Sequence, residues 1–515
     1  MLRVLLALAC PLLISVCALR EVGFSGHSNV SVGNWSGLLS HGAVEWPNVN
    51  RSTSFNVLHA LLAAQEVDQL LSEARAMDDF DLSPDSVDRL PAFEAYMISR
   101  DGGKSRHLDE KSRAARARLL NFTAPVISDR VVPFVNEQYK SICKGDCQVC
   151  SSLLRRYQRD ERRYIAGHQD MNALVTMVVS LNSYGVDYTG GLFVAAGSGG
   201  QRSFVPLLKG DAAVHSAHLY HGIDITGGSR WSWIMWFQRG ECWSEDPLDW
   251  HMEAAEEGDP VSQQVVGNLL ADDLPENATK WWVMSAEQGF VSAAMELTER
   301  ALAERTNLSA SPHTQAAVNL LETAAAANDS QAHLVLGKVS FLNGRMDKAK
   351  MHITTSAQLG NRHAVAAMGD FARSEGRIKE AAAWSEEAWT PNSLWNRVAI
   401  EKQLTGDSTS ETVLIWLEKA ARLGSKEACD AYPDSPDPKR DIVLRCFALQ
   451  AQSGDPKAFE RLLKLYKSRP KNIGRESLLF ARKTLLDFAD WSQRSGKDKP
   501  WKKLSKLPEF RRSEL

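Results

Sequence analysis

Apolar positions change their period twice along this chain. From Asn56, Leu58, Leu61, Leu62, Val67, Leu70 and Leu71 fall on one stripe at helical spacing, and the same period returns between Ala114 and Tyr139. Between Leu153 and Phe237 the pattern becomes short alternating or continuous apolar runs: Leu174 to Leu181, Leu192 to Ala195, Ala212 to His215, Trp231 to Phe237. Glycine-rich turns separate them (Gly190-Gly191, Gly197 to Gly200, Gly227-Gly228), which predicts a β sandwich or barrel. Residues 20–54, rich in Ser, Asn and Gly, read as a linker.

From Trp250 the period is helical again, and it repeats. A turn residue recurs at Gly258, Gly289, Asn328, Gly360, Asn392, Gly424 and Gly454, at intervals close to 32 residues. Gly and Asn share the position because both enter the left-handed conformation that ends a helix. Trp250, Trp281, Trp384 and Trp416 each stand eight residues before such a turn, and Gly344-Arg345 and Gly376-Arg377 form a second mark. The prediction is a stack of helix hairpins, each burying its apolar face on the next.

The 515 residues, 44% hydrophobic and 24% charged with a net charge of -3, exceed one domain and exclude a disordered or nucleic-acid-binding chain. The 464–515 stretch is basic, and we read 471–515 as a basic tail with a solvated face.

Residues 1–19 carry one arginine before an apolar run from Val4 to Leu19. They read as a signal peptide; a membrane association follows only if that segment stays uncleaved as an anchor. Sequons stand at Asn29, Asn34, Asn50, Asn121, Asn277, Asn307 and Asn328. Beyond the signal six cysteines remain: Cys143, Cys147, Cys150, Cys242, Cys429 and Cys446. In an oxidising compartment they predict disulfides rather than a zinc site, with the connectivity open. The expected location is the secretory pathway, in the endoplasmic reticulum lumen or outside the cell.

Candidate chemistry sits in the alternating region. On a strand, His168 and Asp170 at i and i+2 would project to one side. His221 follows 51 residues after Asp170, and Arg230 nine after that. Two imidazoles and one carboxylate on three corners of an octahedron suit Fe(II) and leave positions open, while an arginine pairs with a carboxylate in bidentate fashion. His215 and His218 lie near enough to compete with His221, and Arg230 has a structural carboxylate as its alternative partner. Trp231, Trp233 and Trp236 read as core or rim aromatics. The run Arg155, Arg156, Arg159, Arg162, Arg163 reads as a solvated face.

Through His168, Asp170, Gly190-Gly191, Asp211, His221 and Arg230, the stretch from Leu153 to Phe237 resembles the 2-oxoglutarate and Fe(II)-dependent dioxygenases, in particular the prolyl 4-hydroxylase and lysyl hydroxylase group. The resemblance implies a double-stranded β-helix (jelly-roll) over 55–244 with N-terminal helical support. It implies His168, Asp170 and His221 as iron ligands, and Arg230, with Tyr157, as contacts to 2-oxoglutarate. Implied too are O2, L-ascorbate as reductant, and a protein or peptide substrate hydroxylated at a prolyl or lysyl residue while 2-oxoglutarate becomes succinate. AAEEGDPVSQQVVGNLL, SAEQGFVSAAMEL, SAQLGNRHAVAAMGD and KAARLGSKEACDAY resemble Sel1-like repeats, relatives of the tetratricopeptide repeat, across 245–470. That likeness implies an α-solenoid that holds a protein partner. The expected whole is a multidomain α+β chain; the rival is an inactive luminal adaptor working through its repeats.

Overall fold

The structure, a computed structural model, describes residues 20–21, 39–46, 51–77, 81–85, 87, 91–99, 110–158, 161–195, 202–305, 311–432, 439–452 and 455–468, with a few positions from 481 to 488. The signal-peptide stretch, the sequons at Asn29, Asn34, Asn50 and Asn307, and nearly all of the basic tail lie outside them. Asn121, Asn277 and Asn328 are exposed.

Among these residues the strands are β1 (Arg20–Glu21), β2 (Leu39–Trp46), β3 (Arg51–Leu58), β4 (Asp81–Pro84), β5 (Pro91–Ile98), β6 (Cys147–Tyr157) and β7 (Tyr164–His168). They continue with β8 (Val175–Ser180), β9 (Tyr188–Ala195), β10 (Arg202–Phe204), β11 (Ala212–Ser216), β12 (His221–Gly228) and β13 (Arg230–Arg239). They form an eight-stranded sheet, β2-β3-β11-β8-β13-β6-β5-β4, and a five-stranded sheet, β1-β10-β9-β12-β7. All pairings are antiparallel except β1 with β10.

Period-two alternation on β13 shows how the large sheet is sided. Trp231, Trp233, Met235 and Phe237 enter one core with Val67, Leu70, Phe134 and Val135, from the helices behind the sheet. Those helices are α1 (Ala64–Ala76), α2 (Glu110–Val126), α3 (Val132–Gln138) and the one-turn α4 (Lys140–Cys143). Arg230 and Ser232 take the opposite phase. On that side a second core joins Phe55, Val57, Tyr157 and Ala213 of the large sheet to Ile165, Leu192, Val194 and Ile223 of the small one, so the two sheets face each other.

Two expectations fail here. The linker of 20–54 instead supplies β2 and half of β3, which pair in register from Leu39↔Leu58 to Trp46↔Arg51 and extend the large sheet. The helical stripe from Asn56 is interrupted: Leu58 ends β3, and α1 begins only at Ala64. Leu58 is buried as part of the sheet that α1 packs on, so one core presents two structures with a common apolar stripe.

Helices then succeed one another: α5 (Pro247–Glu256), α6 (Pro260–Leu270), α7 (Pro275–Glu287), α8 (Val291–Ala303), α9 (Pro312–Ala326), α10 (Ser330–Leu342) and α11 (Met346–Gln358). After them come α12 (Arg362–Ser374), α13 (Ile378–Ala388), α14 (Pro391–Thr405), α15 (Glu411–Arg422), α16 (Lys426–Ala431), α17 (Arg440–Gln452) and α18 (Pro456–Ser468). Gly258, Gly289, Asn328, Gly360 and Gly424 all have positive φ, as the repeat predicts. In four of these turns the next residue caps the following helix: the side chains of Asp259, Asp329, Asn361 and Ser425 accept backbone N–H groups. One residue thus stops a helix and its neighbour starts another. Asn392 departs from the scheme, because it lies inside α14. The left-handed residue there is Trp389, at φ 46°, and Thr390 caps the new helix against Ser393. Gly454 lies outside the described residues.

The helical array is joined to the sheets by buried polar contacts. Arg362 of α12 meets Asp224 of β12 at 2.7 and 3.1 Å and donates to the Glu387 carbonyl at 2.5 Å. Arg163 lies over the Trp389 ring, 4.2 Å from its centroid. Disulfides join Cys143 to Cys147, Cys150 to Cys242 and Cys429 to Cys446, which accounts for all six cysteines after residue 20. No described helix is long and apolar enough to cross a membrane.

Candidate metal centre and anion pocket

β7 and β12 are neighbours, with His168 directly opposite His221. Asp170 is not on the strand, as the i, i+2 argument assumed. β7 ends at His168, and Asp170 sits in the turn beyond, where the Met171 N–H reaches the Gln169 carbonyl and the Ala173 N–H reaches that of Asp170. The turn nevertheless brings its carboxylate between the rings: Oδ1 is 3.6 Å from His168 Nε2 and Oδ2 is 3.5 Å from His221 Nε2. One candidate ligand atom from each residue lies within 4.8 Å of the others.

The remaining polar atoms hold this geometry. Nδ1 of His168 faces the Ala166 carbonyl at 2.9 Å and Nδ1 of His221 faces that of Leu219 at 3.0 Å. A carbonyl only accepts, so each Nδ1 carries a proton and each Nε2 is turned toward the shared point, where, against the opposing effect of burial, Asp170 raises the His168 imidazole above its ordinary range. Thr176 Oγ1 donates to Asp170 Oδ2 at 2.7 Å. Burial opposes ionisation of Asp170, but His221 and His168 outweigh it and hold the carboxyl far below the usual range. Burial, then His215, push His221 down to about 3, so it is neutral at physiological pH. An ionised carboxylate beside a neutral imidazole is the protonation state that receives a metal cation.

Of the competing histidines, His215 stacks beside His221, with ring centroids 4.3 Å apart, but stays outside the three-residue cluster. His218 lies with His251, 5.6 Å between centroids.

Arg230 is fully buried, and its Nε and both terminal nitrogens have no hydrogen-bond partner. Its guanidinium carbon lies 6.0 Å from the Tyr157 ring centroid on the large sheet and 5.8 Å from that of Tyr188 on the small one, which places it between the sheets. Among the described residues no carboxylate pairs with it. Ser232 Oγ and His215 Nε2 are also buried without hydrogen-bond partners, and the buried Tyr157 hydroxyl lies beside the Arg155 guanidinium. An isolated buried cation costs several kcal/mol, and the natural remedy is an anion of complementary shape. Donors at Arg230, with hydroxyls at Tyr157 and Ser232, fit a carboxylate that penetrates between the sheets. The residues present therefore fit a metal ion bound together with a small diacid.

Arg159 lies outside the described residues; the other four arginines of the run do not form a solvated face. Arg155 pairs with Asp85 at 2.9 Å and with Glu94, Arg162 reaches Asp85 at 3.6 Å, and Arg156 meets Glu161 at 2.9 Å. Burial raises the Asp85 carboxyl, but Arg155 and Arg162 override it and hold the group ionised. Asp211 has a structural place: it accepts from the Ala60 and Leu208 N–H groups and faces His59. Gly190 has to be glycine, since its φ is +77° and a Cβ would stand 2.1 Å from the Asp224 carbonyl oxygen. Trp231 and Trp233 are core residues, and Trp236 is half-buried at the rim.

Two imidazoles and a carboxylate converge as a cluster that could hold a metal ion, with the residue types of a facial triad, and an unpaired, buried guanidinium lies between the same two sheets. No family model and no curated protein sequence matches the chain. Solved structures to which it is similar include a 2OG-Fe(II) oxygenase family oxidoreductase from Burkholderia pseudomallei, 13% identical over 36% of this chain and 86% of that one, TM-score 0.28. A prolyl-4-hydroxylase from Pseudomonas putida is 18% identical over 36% and 92%, TM-score 0.26. A Sel1 repeat protein from Oxalobacter formigenes is 23% identical over 34% and 77%, TM-score 0.29.

Proposed function

We propose that this chain is an Fe(II)- and 2-oxoglutarate-dependent dioxygenase of the secretory pathway that hydroxylates a prolyl or lysyl side chain in a protein substrate. The observation that carries the reading is the pairing of two features: a three-ligand cluster, and a buried guanidinium with every nitrogen unpaired. Either alone has a structural explanation; together they match a metal and a diacid.

His168, Asp170 and His221 hold the iron, each oriented by its backbone carbonyl or by Thr176. Arg230 pairs with the far carboxylate of 2-oxoglutarate, and the Tyr157 and Ser232 hydroxyls supply the hydrogen bonds that complete it. The apolar residues packed with Tyr157 between the sheets, Leu192, Val194 and Ile223 among them, would limit water around the bound diacid. Bound iron supplies the oxidising chemistry, with 2-oxoglutarate and O2 consumed, succinate and carbon dioxide released, and L-ascorbate as the external reductant. Pairing of all six remaining cysteines supports an oxidising compartment.

Purified protein with Fe(II), 2-oxoglutarate and ascorbate should form succinate, and proline- or lysine-containing peptides should gain the mass of one oxygen. His168→Ala and Asp170→Ala should each lose succinate formation by at least about 10³-fold with the circular dichroism spectrum retained. Unimpaired turnover in the Asp170 variant removes the assignment.

A further inference from the structure

The triad opens into a cleft of about 540 Å³ that has two walls of different origin. One is built around the triad, from residues 167–173 with Tyr220 and Trp236. The other belongs to the helical array: Gln264 and Asn268 of α6, Ser292, Glu296 and Glu299 of α8, and Gln331 of α10. Among the described residues the lining contains no lysine or arginine.

Most polar groups of the helical wall are already engaged. Asn268 accepts from the Trp282 indole at 2.9 Å, Gln331 accepts from Asn361 at 2.8 Å, and Glu299 pairs with Lys338 at 2.6 Å. Two acceptors remain. Gln264 is 3% exposed, and its Oε1 has no partner. The Glu296 carboxylate, one helical turn before Glu299, has no hydrogen bond or ion pair with another described residue. Burial, then Glu299, push it up to about 7. The other carboxylates among the described lining residues are engaged, Asp170 by Thr176 and the two histidines and Glu299 by Lys338, while the Gln264 oxygen and the ionised Glu296 carboxylate are acceptors. Their complement is a compact donor with positive charge.

We infer that the helical repeats form one wall of the substrate cleft, and that Gln264 and Glu296 select a polypeptide segment carrying an ammonium or guanidinium side chain near the residue presented to the triad. This rests on the dioxygenase reading for what happens at the triad, but not for binding itself. The array is thereby a specificity element as well as a scaffold.

The test uses the full chain loaded with Fe(II) and 2-oxoglutarate under argon. Its probes are fluorescein-labelled proline-containing peptides that differ only in a lysine, norleucine or glutamate placed at each flanking position in turn. Anisotropy should show the best lysine peptide binding about 10-fold tighter than its norleucine twin, roughly 1.4 kcal/mol, and the glutamate peptide weakest. In Glu296→Gln the lysine-to-norleucine ratio should fall towards one, and in Glu296→Asp part of it should return. In the unmodified protein, added salt should shrink the same ratio. The inference is overturned by equal binding of the lysine and norleucine peptides, by a ratio that survives in Glu296→Gln, or by one indifferent to salt. Succinate formation by the unmodified protein in air separates the two readings. Charge preference without succinate sinks the dioxygenase reading alone, and succinate without charge preference sinks this one alone.

Discussion

Arg230 and Arg362 are both buried guanidiniums within the same fold, and their surroundings are opposite. Arg362 has the Asp224 carboxylate at 2.7 Å and the Glu387 carbonyl at 2.5 Å. Arg230 has no partner on any nitrogen. Burying an arginine with its counter-charge joins two parts of a protein; burying one without it creates a vacancy of defined charge and shape. The first is a bond between β12 and α12, and the second is the reason to expect an acidic co-substrate.

The comparison is broken most severely from the paired side. Arg362→Ala leaves Asp224 buried with only Arg202, at 3.4 Å, as a cationic neighbour, and should cost about 3–5 kcal/mol in stability by denaturant titration. The unpaired side should respond with the other sign. Arg230→Met removes a buried charge that lacks a partner, so the ligand-free protein should hold or gain stability. It should also lose the stabilisation that 2-oxoglutarate gives the parent protein, about 2.7 kcal/mol at a hundredfold excess over Kd, as read by thermal unfolding with the metal present. A parent protein indifferent to 2-oxoglutarate would erase the distinction between the two arginines.

The smallest effect concerns a third buried charge. Burial raises the Glu296 carboxyl to about 7, so it is protonated in the fold at pH 5 and ionised at unfavourable cost at pH 8. Its contribution to stability therefore declines as pH rises from the ordinary glutamate range through 7. Glu296→Gln should gain on the parent by about 2 °C or less at pH 8, with the difference fading at pH 5. Equal midpoints at both values would argue that the group is already paired.

How far these sites were legible depended on sequence distance. His168 and Asp170 are two residues apart and Arg230 follows His221 at short range, so local spacing exposed them, even though a turn rather than strand alternation aims Asp170. Ser232 lay within reach of the same reasoning, since period two on β13 puts it beside Arg230 on the face opposite Trp231 and Trp233. Thr176, Gln264 and Glu296 were not legible, because their roles come from chain segments meeting in space and not from neighbours in sequence. The repeat was visible because helix ends demand left-handed residues. Asn392 shows the limit: asparagine also tolerates a helix, and the turn fell to Trp389. The arginine run misled for a related reason, since its carboxylate partners Asp85 and Glu94 lie some 60 to 80 residues away.

Tyr220 stands immediately before His221, and its ring occupies the space where a Cβ on Gly167 would be, next to His168. Its outer side packs into the core of the helical array around Val261 and Phe290. One aromatic side chain, itself the chain neighbour of His221, is thus wedged between Gly167, the neighbour of His168, and the body of the repeats. Displacing α6 or α8 would be felt at the imidazoles through a single rigid plate, so cutting the array away would disturb the metal centre as well as remove a docking surface.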